Sequence, residues 1–302
     1  MSSLAVALLL LSAVLHATWN FLGKRQDPTA SFMLAANTLG TLALAPLLIL
    51  FRDSLGAFSA PVWGLIVLTG LAQAVYYVGL AGAYRAGDLS LAYPLVRAVP
   101  VLLVTLLTLL LEQGDPPSQQ AVAGMVLIVA GCLILPLHHF GQLNVRSYAS
   151  LAVLLALVAA LGTVGYSILD DRALRLLRAG DGLTAGNLAV TLVYAIIAGI
   201  SASLWLGAFV ALRREDRRQA RALTRADLRP AFLVGLFIFV GYALVLVALA
   251  LVPNVGYAVA FRQLSIPLGA VLAIVLLKEP AYRPRLLGVG MVFVGLVLVA
   301  TG

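Results

Sequence analysis

Residues 87–100 read Gly87-Asp88-Leu89-Ser90-Leu91-Ala92-Tyr93-Pro94-Leu95-Val96-Arg97-Ala98-Val99-Pro100 and open an apolar run that continues to Leu111. Arg97 lies about eight residues inside that run. At about 1.5 Å of helix rise per residue this sets it roughly 12 Å below the start of the segment, near the midplane of a bilayer core about 30 Å thick. A charge there costs on the order of 2.5 to 3.5 kcal/mol and persists where it faces a bundle interior or a wet cavity. The device recurs later in the chain. Asn254-Val255-Gly256-Tyr257-Ala258-Val259-Ala260-Phe261-Arg262-Gln263-Leu264-Ser265-Ile266-Pro267 opens the run ending at Leu277, with Pro267 following Arg262 as Pro100 follows Arg97.

The composition agrees with a bilayer setting. Of 302 residues, 62% are hydrophobic and 11% charged, and the mean hydropathy is +1.05, which leaves too little polar surface to cover a soluble globule. A multi-pass protein of the cell (inner) membrane is expected. The first run, Ser3 to Leu22, has no basic stretch before it and no small-residue cleavage pattern after it, so it reads as a retained helix. Cys132 is the only cysteine and His138-His139 lack acidic or thiol neighbours; no metal and no other cofactor is expected. The net charge of +8 sits mostly in loops, so anionic lipid headgroups are the expected partner and nucleic acid is not.

Apolar runs of spanning length fall at about 3–22, 31–51, 61–84, 90–111, 119–137, 149–169, 186–212, 230–251, 254–277 and 285–301, ten helices in all. The longest connection, about 213–229, has no room for a nucleotide-binding domain, which excludes direct ATP drive within this chain. Halving the series gives five and five. Leu11–Arg25 lies over Val158–Arg172, so that Trp19 meets Tyr166, and Tyr77 meets Tyr242 at the spacing that pairs Arg97 with Arg262. Gly124 and Gly131 lie over Gly288 and Gly295. An odd number of helices per unit makes the second copy enter the membrane from the opposite side. The fold class expected is therefore all-α integral membrane, ten transmembrane helices as two inverted-topology five-helix repeats, 1–140 and 149–302, with both arginines converging near the midplane.

These residues resemble the drug/metabolite transporter superfamily, specifically proteins with two EamA domains. The likeness rests on His16-Ala17-Thr18-Trp19-Asn20 at the end of the first helix, Gly87–Pro94 opening the fourth, Leu276-Leu277-Lys278-Glu279 closing the ninth, and the Gly-rich fifth and tenth helices. It implies a secondary transporter or exporter of small metabolites, amino acids among them, with a central cavity. The family resemblance also implies cytoplasmic termini. The local charge count points the other way: loops after odd-numbered helices hold 14 Lys and Arg, including seven arginines between Arg213 and Arg229, against 4 after even-numbered ones. The positive-inside rule then puts the termini outside.

Candidate site residues follow from polar groups placed inside apolar runs. Arg97 and Arg262 offer guanidinium forks suited to a carboxylate or phosphate, against the plainer reading of a structural ion pair or a hydrogen bond to a helix carbonyl. Tyr93 is one turn before Arg97 and on its face. Gln73, Tyr76 and Tyr77 form a polar and aromatic stripe in the third helix, echoed by Tyr242 in the eighth. His16, Trp19 and Asn20 share a face of the first helix. Gln263 adjoins Arg262, although adjacent helix residues do not share a face. Pro94, Pro100 and Pro267 are candidate hinges. Asp170 and Asp171, about 20 residues into the sixth helix, are expected at the far interface and not in the cavity. The glycine pairs are expected to pack helices, between the halves or between protomers of a homodimer.

The reading this supports is a non-ATP-driven transporter or exporter of a small organic solute bearing an anionic group, plausibly an amino acid, working by alternating access. Two rival classes are a membrane enzyme or lipid-headgroup-binding protein, and a non-transporting receptor. The chain shows no Gly-rich phosphate loop, nucleophile elbow or paired catalytic carboxylates, which argues against an enzyme.

Overall fold

A computed structural model describes residues 2–24, 26, 29–86, 89–135, 137–142, 150–179, 186–276 and 280–302. Among these the chain is helical and has no strand. The helices are α1 (Ser3–Lys24), α2 (Ala30–Leu44), α3 (Pro46–Leu50), α4 (Ala60–Ala86), α5 (Leu89–Leu110), α6 (Gln119–Ile134), α7 (Leu151–Ala179), α8 (Asn187–Leu212), α9 (Arg214–Ala222), α10 (Arg225–Ala248), α11 (Val255–Arg262), α12 (Ser265–Leu276) and α13 (Arg283–Thr301).

Seven of these segments are long and apolar enough to cross a membrane: α1, α2 with α3, α4, α7, α8, α10 and α13. Apolar side chains such as Leu50, Leu110, Leu204 and Val297 stand exposed on the outside of the bundle. Water would penalise such a belt and lipid tails do not. Helix starts carry local caps where the sequence supplies them. Thr29 accepts from the Phe32 amide, Ser118 from the Ala121 amide, Asn254 from the Gly256 amide, and Thr224 with Asp227 forms a capping box. Glu112 (φ 52°) and Gly114 (φ 81°) turn the chain between α5 and α6 in the left-handed region, a common helix ending.

The prolines behave unequally. α5 runs unbroken through Pro100, whereas the ninth apolar run splits into α11 and α12 at Gln263-Leu264, ahead of Pro267. Pro267 falls in the first turn of α12, where a missing N–H removes no helical bond. The side chain of Pro94 lies outside the described residues.

Packing joins α4 to α7 and α1 to α10, α2 to α10 and α4 to α8, α5 to α7 and α1 to the broken pair α11 and α12, while α6 lies along α13 and α2 along α8. Close approach needs residues without side chains at the crossings. Gly124 and Gly131 of α6 face Gly295 and Gly288 of α13, so the expected glycine contacts form inside the chain; a Cβ on Gly131 would stand 2.8 Å from the Gly288 carbonyl oxygen. The tightest crossing is Gly40 against Gly235, where α2 meets α10. The arginine-rich α9 exposes Arg214, Arg217, Arg218 and Arg221. It is pinned to the bundle by the Ser31 hydroxyl, which donates to the Asp216 carbonyl at 2.7 Å.

A methyl group added at Gly235 would overlap the Ala36 carbonyl, so Gly235→Ala should cost about 1–3 kcal/mol of overpacking strain. Gly64→Ala, with nothing within 4 Å, is the control. Thermal denaturation in detergent should show a lower midpoint for the first and none for the second.

Candidate functional site

A central cavity, about 580 Å³ when the space open to its surroundings is counted, lies among six of the long helices and α11. α1 lends Ser12, His16 and Trp19; α2 lends Asn37; α4 lends Gln73, Tyr76 and Tyr77; α7 lends Tyr166; α8 lends Gly199; α10 lends Phe237 to Phe239, Gly241 and Tyr242; and α11 lends Arg262. The placement follows from helix geometry. The i, i+3 spacing of His16 and Trp19 puts both on the face of α1 that meets α10, and Arg262 is the last residue of α11, where the helix stops and its side chain is free to reach inward.

The Arg262 guanidinium donates to the Tyr166 hydroxyl at 2.9 Å and lies 5.8 Å from that ring's centroid. Among the described residues no carboxylate forms an ion pair with it. An aromatic wall continues from there. Tyr166 meets Tyr242 edge-on at 6.5 Å and Tyr76 at 6.0 Å between ring centroids, and Tyr76 adjoins Tyr77 at 5.2 Å. Asn37 fixes the opposite side, donating to the Gly199 carbonyl at 3.0 Å and the Ser203 hydroxyl at 2.9 Å.

Arg97 has a different setting from its counterpart. It is 7% exposed and is not on the cavity wall. Its guanidinium donates to the Arg262 carbonyl at 2.8 Å, to the Ser265 hydroxyl, and to His16 Nε2 at 2.7 Å. The Ser265 hydroxyl also donates to that carbonyl, at 2.9 Å. Arg97 thus closes the gap between α11 and α12, the carbonyl hydrogen bond being the plainer of its two sequence readings. His16 is held from both sides, because the Trp19 indole N–H points at its Nδ1 at 3.1 Å. Both partners can only donate, and an uncharged imidazole accepts at one ring nitrogen, so one of the two contacts is a hydrogen bond and the other a close polar approach.

The remaining candidates divide. Gln73, Tyr77, Tyr242, His16 and Trp19 stand on the cavity wall. Asn20 does not; it donates to the His16 carbonyl at 2.8 Å and accepts from Tyr84. Gln263 is turned back along its own helix to the Val259 carbonyl at 2.9 Å. The Tyr93 side chain lies outside the described residues. Tyr76, a member of the stripe with Gln73 and Tyr77, also lines the cavity, and Tyr166, Asn37 and Ser12 do so without having been singled out as its residues, although Tyr166 was visible as the repeat partner of Trp19 and Asn37 as a polar residue within an apolar run.

One sequence expectation is overturned. Asp170 is inside the bundle: it is 1% exposed, and the helices around it bring Thr69, Tyr194 and Tyr242 to it from six to nine residues inside their nearer ends. Oδ1 accepts from Thr69 at 3.0 Å and Tyr194 at 2.7 Å, and Oδ2 from Tyr242 at 2.8 Å. α7 runs on to Ala179, so counting from the start of the apolar run misplaces the end of the helix. Asp171 points elsewhere, accepting from Arg175 at 2.8 Å and Gln113 at 2.7 Å. Among the described residues no group of three His, Cys, Asp or Glu side chains is placed to hold a metal.

Replacing Arg97 by Ala strips donors from the Arg262 carbonyl, Ser265 and His16. At about 1–3 kcal/mol for each buried polar group left without a partner, Arg97→Ala should lower the thermal midpoint of the purified protein by far more than Arg262→Ala does. Equal midpoints would remove the bracing role.

No curated protein matches this chain. A solved structure described only as "Crystal structure of protein" superposes with a TM-score of 0.68 at 14% identity, covering 100% of this chain and 98% of that chain, a likeness of fold alone. Residues 3–137 match the EamA-like transporter family; with the apolar helices, this marks a multi-pass membrane protein whose first half is similar to a family of membrane transporters of the drug/metabolite transporter superfamily.

Proposed function

We propose that the protein is a secondary transporter of a small organic solute bearing an anionic group, an amino acid or organic acid among the candidates, bound in the central cavity with its anionic end on Arg262. The observation that carries this is the Arg262 side chain: a half-buried guanidinium on a cavity wall of a membrane protein, bonded to a neutral tyrosine hydroxyl and, among the described residues, to no carboxylate. Such a charge is kept where a ligand uses it. The tyrosines and Phe237 to Phe239 would enclose the organic part of the solute.

The helix pairings support two inverted five-helix units. Numbering the apolar runs one to ten and exchanging each run with the one five places away turns the contact of α4 with α7 into that of α10 with α1. It also turns α2 with α10 into α8 with α4, and α5 with α7 into the broken ninth span with α1. The contacts of α6 with α13 and of α2 with α8 map onto themselves. A bundle so arranged can open to one side and then the other by rocking its halves, which gives alternating access around Arg262 with the break between α11 and α12 as the hinge. The arginine-rich face bearing α9 is placed on the cytoplasmic side of the inner membrane.

Counterflow in proteoliposomes with a labelled panel of amino acids, organic acids and phosphonates tests the reading. The wild type should exchange at least one member, and Arg262→Ala should lose that flux by at least about tenfold, the equivalent of 1.4 kcal/mol from one lost charge-assisted pair. Undiminished flux in Arg262→Ala would reject the binding role. A phosphatase fused to the carboxyl terminus should be active, as an outside location requires; an inactive fusion with an active cytoplasmic reporter at the same position reverses the orientation.

A further inference from the structure

Beside the cavity wall lies a second, smaller void, about 270 Å³ when the space open to its surroundings is counted, lined by Tyr166, Asp170, Tyr242 and Arg262 among others. Tyr166, Tyr242 and Arg262 belong to both spaces. The Tyr242 hydroxyl, which donates to Asp170 Oδ2 at 2.8 Å, therefore stands between a buried carboxyl and the place where a solute would sit.

Among the described residues no cation is bonded to Asp170. From α4 it faces Thr69, from α8 Tyr194, from α10 Tyr242, and from α11, across the small void, Arg262. On its own helix, Tyr166 is bonded to Arg262, and Asp171 is paired with Arg175. The charged side chain of α5, Arg97, is engaged with His16 and Ser265. Three neutral hydroxyls satisfy the lone pairs of Asp170 but do not cancel its charge. Arg262 is the only described cation lining the void with it, and it is held at arm's length through Tyr166.

We infer that Asp170 is the proton-binding site of this protein, and that its proton occupancy is linked to what occupies Arg262. This rests on the transport reading above and names its coupling ion. With the cavity empty, the Arg262 and Asp170 charges compensate one another. An anion arriving on Arg262 takes that compensation away, and a proton added to Asp170 Oδ2 restores neutrality. The new O–H then donates to the Tyr242 oxygen, and the Tyr242 hydrogen, no longer needed by Asp170, turns toward the cavity, where an anion accepts it. Proton and anion enter together, one proton bound and none lost, so that an inward proton gradient drives the anion in the same direction.

Infrared difference spectroscopy of the purified protein, titrated over roughly pH 5 to 9 with no solute present, tests the site directly. The wild type should show a titrating carbonyl band of a protonated carboxylic acid, and Asp170→Asn should lack it. Tyr242→Phe, which keeps the acid and removes one donor, should shift the band's frequency; this holds even if the Asn variant fails to fold. Arg262→Gln, which removes the compensating charge as a bound anion would, should carry the band about one pH unit or more higher. A wild type with no titrating band, or a band that survives unchanged in Asp170→Asn and Tyr242→Phe, overturns the site, and an unmoved titration in Arg262→Gln overturns the linkage. The measurement needs no transported solute, so its failure leaves the transport reading standing, and a protein that moves nothing in liposomes can still show the band.

Discussion

The hydrogen bond from the Arg97 guanidinium to the Arg262 carbonyl is the contact on which the centre of the molecule depends. Where α11 ends, the Ile266 amide pairs with the Gln263 carbonyl, so the Arg262 carbonyl is left without the backbone donor a continuous helix would give it. In a bilayer interior an orphan of this kind cannot turn to water. Arg97, reaching from α5, and Ser265 both supply donors to it. Fixing that carbonyl fixes the last turn of α11, and with it the direction in which Arg262 enters the cavity.

The two arginines match in sequence and differ in use. Each lies about the same depth inside its run, and each is followed by a proline, yet only one run is broken. The broken run presents its charge to the cavity while the unbroken run spends its charge on repair. Two arginines that match in sequence need not share a role, because the walls of the one cavity are unlike. Here α1, α4 and α10 bring tyrosine, histidine and tryptophan, and none of the described side chains of α5 lines the wall.

Much of the architecture could be read from the residues. Hydrophobic run length and the placement of Pro, Gly and charge located the helices, and the glycine pairs gave the α6 and α13 contact, because both signals are local. The five cavity residues among Gln73, Tyr77, Tyr242, His16 and Trp19 were likewise legible as polar groups on helix faces. Asn20 and Gln263 were not separable from them by spacing, since a side chain that bonds its own helix's carbonyls looks the same in sequence as one that points inward. Asp170 was misplaced for a related reason: depth counted along one helix says nothing of how far the next helices extend, and α7 continues past the apolar run that suggested its end. Tyr166 and Asn37 reach the cavity wall only because α2, α4, α7 and α8 come together.

Asp170 and Asp171 are consecutive on α7 and so project about 100° apart around the axis. One grips hydroxyls from α4, α8 and α10; the other is clamped to Arg175 and Gln113, and Arg175 also reaches the Pro253 carbonyl just ahead of α11. A rotation of α7 about its axis would therefore strain both grips at once, the one holding α4, α8 and α10 and the other holding the connections that lead into α6 and α11.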